Sequence, residues 1–89
     1  MEIVPFPVII TKEGKWFVAS CPILDLATQG KSEKEVRENM KDLISEYMSD
    51  PDTPKPEIET IMSASVLMTS IPVRVEGVSY SKASSSAAA

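Results

Sequence analysis

Apolar and polar positions alternate at period two along the first third of this chain, then switch to a helical period. Val4, Phe6, Val8 and Ile10 fall on one face, and Ile3, Pro5, Pro7 and Ile9 on the other. That pattern predicts a strand over 2–12. Proline has no N–H to give to a ladder, so Pro5 and Pro7 make the start of this strand an edge or a bulged region. Glu13 and Gly14 form the turn, because glycine takes a positive φ cheaply and the connection before Lys15 fits a hairpin. A second strand is predicted over 15–21, with Trp16, Val18 and Ser20 alternating against Phe17, Ala19 and Cys21. Pro22 ends it. Residues 23–26 connect to a short third strand over 27–30, closed by Gly30.

The helical period begins after Ser32. Ser32 is a good N-cap, and Glu35 three residues later completes a capping box. Glu33 and Glu35 place negative charge in the first turn, where the helix dipole favours it. Val36, Met40, Leu43, Ile44 and Tyr47 form one stripe, and Lys34, Arg37, Glu38, Lys41, Asp42 and Glu46 the opposite face. The helix is predicted to lie on a sheet, since the stripe must be buried and no second long helix is available. The proline-rich run 49–56 cannot continue it. Residues 57–62 read as a short helix or as the start of a strand. Residues 65–76 read as a strand through Val66, Met68, Ile71, Val73 and Val75. Its alternation shifts between Met68 and Ile71, and Pro72 removes a donor, which predicts a bulge or an edge there. From Gly77 onward the serine- and alanine-rich run has no apolar face to bury and reads as a disordered tail.

The predicted fold is α+β: a three-stranded antiparallel meander, one amphipathic helix packed on the sheet, and a fourth strand. A right-handed crossover lays that strand beside the first and parallel to it. The structured domain is 1–76 and the tail 77–89. The sheet face away from the helix has nothing to cover Ile3, Ile9 and either Trp16 or Phe17, which argues for a homo-oligomer or a protein partner.

Composition narrows the function. A single domain of 89 residues with 6% aromatic content has an aliphatic core and limited surface to bury. Its net charge is −4, which argues against nucleic acid as a direct ligand and for a basic partner. Cys21 is the single cysteine, so no internal disulfide forms, and a reducing compartment suits it. Glu2, Pro5 and Pro7 interrupt the leading apolar run, so no signal peptide is read there, and no run approaches a membrane span. A cytoplasmic location is expected.

The chemistry-bearing residues are few. The chain has no histidine, the commonest general base and metal ligand. Cys21 sits at a strand end without a histidine partner and reads as a structural thiol. Asp50-Pro51-Asp52 lacks the glycine of a calcium loop, and Ile61 stands where the bidentate glutamate belongs. No glycine-rich phosphate loop exists, and the helix carboxylates read as a solvated face. No catalytic residue, metal or cofactor is expected. Trp16 reads as a core or rim aromatic, or as an interface anchor. Asp25 reads as a turn residue, or as a charge presented to a basic partner.

The run from Cys21 to Met48 resembles the core motif of the HicB-like antitoxin family. The residues that carry the resemblance are Pro22, Leu24, Asp25, Gln29, Gly30, Ser32, Glu35, Asn39, Ile44 and Tyr47; Val36 replaces the usual alanine. The hairpin and residues 68–75 fit more loosely. The resemblance implies a degenerate ribonuclease H-like fold, in a prokaryotic toxin–antitoxin system, that binds and neutralises a small basic HicA-type RNA-cleaving toxin. The strand order β-β-β-α-β agrees with that fold. Nuclease chemistry needs carboxylates on the central strand, and residues 3–10 offer none. Trp16, Leu24 and Asp25 are the candidate partner interface, and Pro22, Gly30, Ser32 and Glu35 the structural motif. Many family members carry a C-terminal DNA-binding segment; only a polar tail follows Val75, so direct operator binding is not expected. The alternative is a small oligomeric binding or regulatory module of the same fold without a toxin.

Overall fold

Gly14 sets the sheet. It has φ +64° and stands first in a two-residue connection between Glu13 and Trp16. No positive φ falls on Lys15, so the turn is the type II′ whose twist matches flanking strands. The computed structural model describes residues 3–77, and the tail beyond Gly77 lies outside the described residues. Its elements are β1 (Ile9–Glu13), β2 (Trp16–Cys21), β3 (Leu26–Gly30), α1 (Glu33–Ser49) and α2 (Ile58–Ser63).

The three strands form an antiparallel sheet in the order β1-β2-β3. The register pairs Ile10 with Ala19 and Ala19 with Thr28 on one face. On the other face Ile9, Ser20 and Ala27 align, as do Thr11, Val18 and Gln29. Helix α1 covers the first of these faces, lying across β2 and β3. Ala19, Cys21, Leu24, Val36, Met40 and Ile44 form the buried cluster between sheet and helix. Phe6, Val8, Ile10, Phe17 and Leu26 pack around it. Burying each large aliphatic here contributes about 1.5–3 kcal/mol against conformational entropy. Lys12 closes the hairpin end by standing over the Phe17 ring, 5.6 Å from its centroid.

The junction from β3 to α1 is built from motif residues. Ser32 has an extended backbone, and its Oγ accepts from Glu35 N at 3.0 Å. Glu35 does not return this bond to the Ser32 N–H, as a strict capping box would. Its Oε1 accepts instead from Lys31 N at 3.2 Å. Further along α1, Asn39 Nδ2 donates to Gln29 O at 2.9 Å and ties helix to strand. The α1 stripe is as the spacing predicts: Val36, Met40 and Ile44 are buried, with Leu43 and Tyr47 half-buried.

The hairpin turn is Gly14-Lys15 rather than Glu13-Gly14, and β2 and β3 open one residue off the sequence reading, at Trp16 and Leu26; three elements differ by more. Strand β1 starts at Ile9 rather than residue 2, because β2 ends at Cys21 and Pro22 has no N–H to extend the ladder. The ambiguous run 57–62 is the short helix α2, which buries Ile61. Residues 65–76 form no strand: among the described residues the expected fourth strand beside the first is not paired, and its apolar side chains stand exposed.

Candidate interaction surface

The residues singled out as a partner interface separate in space. Trp16 opens β2 and is 42% exposed. It shares the uncovered sheet face with Val18 and Ile9, while Phe17 turns to the helix side. That settles which of the two aromatics the open face carries. Asp25 lies in the β2–β3 turn, at the other end of β2. Six residues of strand put the two about 17 Å apart or more, so they do not form one contact patch.

Leu24, expected at the partner interface, lies in the core instead. It is 5% exposed and sits in the core cluster, so it is not a surface contact in this structure. The turn folds it inward: Leu24 N donates to Cys21 O at 3.2 Å, and Asp25 N donates to Pro22 O at 3.3 Å. Asp25 has φ +55°, a left-handed conformation that aspartate tolerates better than branched residues. It therefore serves the turn, and its exposed carboxylate also faces solvent. Pro22 is exposed at the same turn.

Gly30 is buried against the first turn of α1. A Cβ there would stand 2.8 Å from Val36 N and 3.1 Å from Val36 Cα, so only glycine lets strand and helix approach this closely. Together Gly30, Ser32 and Glu35 fix where α1 starts relative to β3. These are positions of architecture rather than of contact.

Sequence reading missed a second surface. Helix α1 covers β2 and β3 and leaves β1 open. A cleft of about 460 Å³ runs between α1 and β1 with its leading segment. Val4, Phe6, Val8 and Ile10 line one wall, Met40 and Ile44 the other. The period-two face was legible in the sequence; its being left half-covered depends on where α1 lies. Arg37 and Lys41 stand at the rim. Arg37 is held by Glu33 at 3.0 Å, an exposed i, i+4 pair of small energetic worth.

The loop after α1 is ordered by its own polar groups. Asp50 accepts from Thr53 Oγ1 at 2.7 Å and from Asp52 N at 2.9 Å. These bonds, with Lys55 nearby, hold its carboxyl below the ordinary value. Lys55 Nζ also donates to the Asp50 and Thr53 carbonyls. This is a self-satisfied turn. Among the described residues no cluster of three or more potential metal ligands occurs, and no helix is long and apolar enough to cross a membrane. Cys21 is free and buried.

What the arrangement offers chemically is the exposed Trp16 on a mixed open sheet face, the apolar β1 cleft and the exposed apolar side chains of the 64–75 segment. Comparison of the chain with protein-family models, with curated proteins and with solved structures finds no match.

Proposed function

We propose that this chain is a non-catalytic interaction protein that binds and neutralises a small basic RNA-cleaving toxin of the HicA type in a prokaryotic cytoplasm. The observation that carries the reading is the sheet face that α1 leaves open, where Trp16 stands 42% exposed on the same face as the half-buried Ile9 and Val18, on a chain of net charge −4. An acidic binder suits a basic, RNA-binding partner: long-range attraction speeds encounter, and apolar burial holds the complex. The motif residues from Pro22 to Tyr47 support the family reading. The degenerate ribonuclease H-like fold belongs to the same proposal. The sheet and α1 agree with its first four elements; its last strand, expected over 65–76, is not paired among the described residues.

A second reading, an oligomeric regulatory module of the same fold without a toxin, is favoured by the β1 cleft and the unpaired 64–75 segment. Pull-down with the tagged full chain from its native lysate separates the two. The first reading expects a small basic protein that cleaves RNA only after release, and its loss with Trp16→Ala. Recovery of nothing but further copies of this chain would leave the second.

A further inference from the structure

We propose that two copies of this chain form a reciprocal dimer, in which residues 66–75 of each pair antiparallel with the free edge of β1 of the other. This proposal does not depend on a toxin partner.

The acceptor is the β1 edge. Glu13 and Trp16 flank a two-residue turn, so they are a hydrogen-bonded pair, and bonded pairs alternate along the ladder. Ile9, Thr11 and Glu13 therefore spend their backbone groups on β2. Val8 and Ile10 turn theirs to the free edge, and the same alternation continued through the lining residues Phe6 and Val4 does likewise. Pro5 and Pro7 fall in the other set, on the side that β2 has vacated. The prolines thus leave the outer edge with its donors intact. The side chains of this same set, from Val4 to Ile10, line the half-covered cleft. An apolar edge with all its donors free is a template for another strand.

The donor is the segment after α2. Ala64 already has an extended backbone. Beyond it, Leu67, Thr69, Ile71, Val73 and Val75 share one parity, so in a strand they form one almost wholly apolar face. In this structure Leu67 is 88% exposed, Ile71 76% and Val73 72%. None of them packs on the core cluster. Pro72 lies in the opposite set. Four large apolar side chains, Leu67, Ile71, Val73 and Val75, face the cleft in that strand, and two arms with the two clefts they fill bury about 1,200 Å² or more, the size of a specific interface.

Direction selects the second copy. In a strand of L-residues, the face a side chain takes and the side its N–H points to are linked through chain direction. If the arm runs antiparallel to β1, the residues facing the cleft (Leu67 to Val75) also aim their N–H groups at β1, and Pro72 stays off the ladder. If it runs parallel, Pro72's set faces β1 and one bond is lost. A right-handed return within the same chain gives the parallel arrangement. The antiparallel one comes from a second copy, and exchange of two identical arms closes with two-fold symmetry.

The test uses the full chain at micromolar concentration, with light scattering after size exclusion and amide exchange at Val8 and Ile10. The wild type is expected at twice the monomer mass with both amides protected. Ile71→Asp/Val73→Asp changes side chains that are solvent-exposed in the single chain, so the helical far-UV signal of α1 should hold while the strand signal of the arm is lost and self-association weakens at least about 100-fold. Thr69→Pro, which removes a ladder donor, should weaken it about 10-fold or more, and Ser70→Pro by less than about 3-fold. A wild-type monomer overturns the proposal, with protected amides showing the arm folded back on its own chain. A dimer that survives Ile71→Asp/Val73→Asp, or one spared by Thr69→Pro and broken by Ser70→Pro, overturns it as well.

Discussion

Gly30 and Val36 meet so closely that a Cβ on Gly30 would lie 2.8 Å from the Val36 backbone nitrogen. The contact is backbone against backbone, so no rotamer change relieves it. Gly30→Ala is expected to destabilise the fold by about 2–3 kcal/mol, by shifting α1 off β3. In a domain of this size that lowers Tm by about 10 °C or more, read by thermal denaturation. Gly14→Ala meets no side chain or backbone within 4 Å, and its cost comes from φ +64° alone, about 1 kcal/mol.

The helix start depends on one hydroxyl. Ser32 Oγ accepts from Glu35 N at 3.0 Å. Ser32→Ala should cost about 1 kcal/mol in denaturant unfolding. Glu35→Gln keeps an acceptor for the Lys31 N–H and loses only the charge near the helix N-terminus, for a smaller cost of about 0.5 kcal/mol.

Leu24 and Asp25 are neighbours with opposite roles. Leu24→Ala removes a core side chain and should cost about 3 kcal/mol. Asp25→Gly relaxes a residue held at φ +55° and should leave stability unchanged or raise it by up to about 1 kcal/mol. Equal losses in chemical denaturation would contradict this division.

Asp50 predicts a pH response. Its carboxyl is held below the ordinary value of 3.8, first by the Thr53 hydroxyl and then by the Asp52 N–H. A lowered native pKa means the folded state prefers the ionised form. The contribution is full above the ordinary carboxylate pKa and is lost as pH falls through the lowered native value. Thr53→Val should raise the Asp50 pKa toward 3.8 in an NMR titration, and an unchanged value would show that Thr53 is not the main cause.

Much of this arrangement is legible in local pattern. The α1 stripe from Val36 to Ile44, the Ser32 cap and the Gly14 hairpin follow from spacing and turn chemistry, because each is decided within a few residues. Leu24 was taken for a contact residue because nothing local says which side chain of a four-residue turn points inward; here the turn curls back and buries it. The fourth strand was read from real β-propensity, and the structure does not pair it. Propensity says that Leu67 to Val75 suits a strand; it does not say which edge receives it. The β1 cleft escaped notice for a related reason: its lining is a visible period-two face, and only the placement of α1 over β2 and β3 leaves it open.

The proposed function requires that this acidic chain bind a small basic RNA-cleaving protein and block it. The most direct measurement separates that partner from the complex under denaturant, refolds both, and follows RNA cleavage as the chain is titrated back. Cleavage should fall to background at stoichiometric chain, and Trp16→Ala should require about 10-fold more or beyond. Cleavage that continues undiminished with excess wild-type chain would rule out neutralisation by this chain.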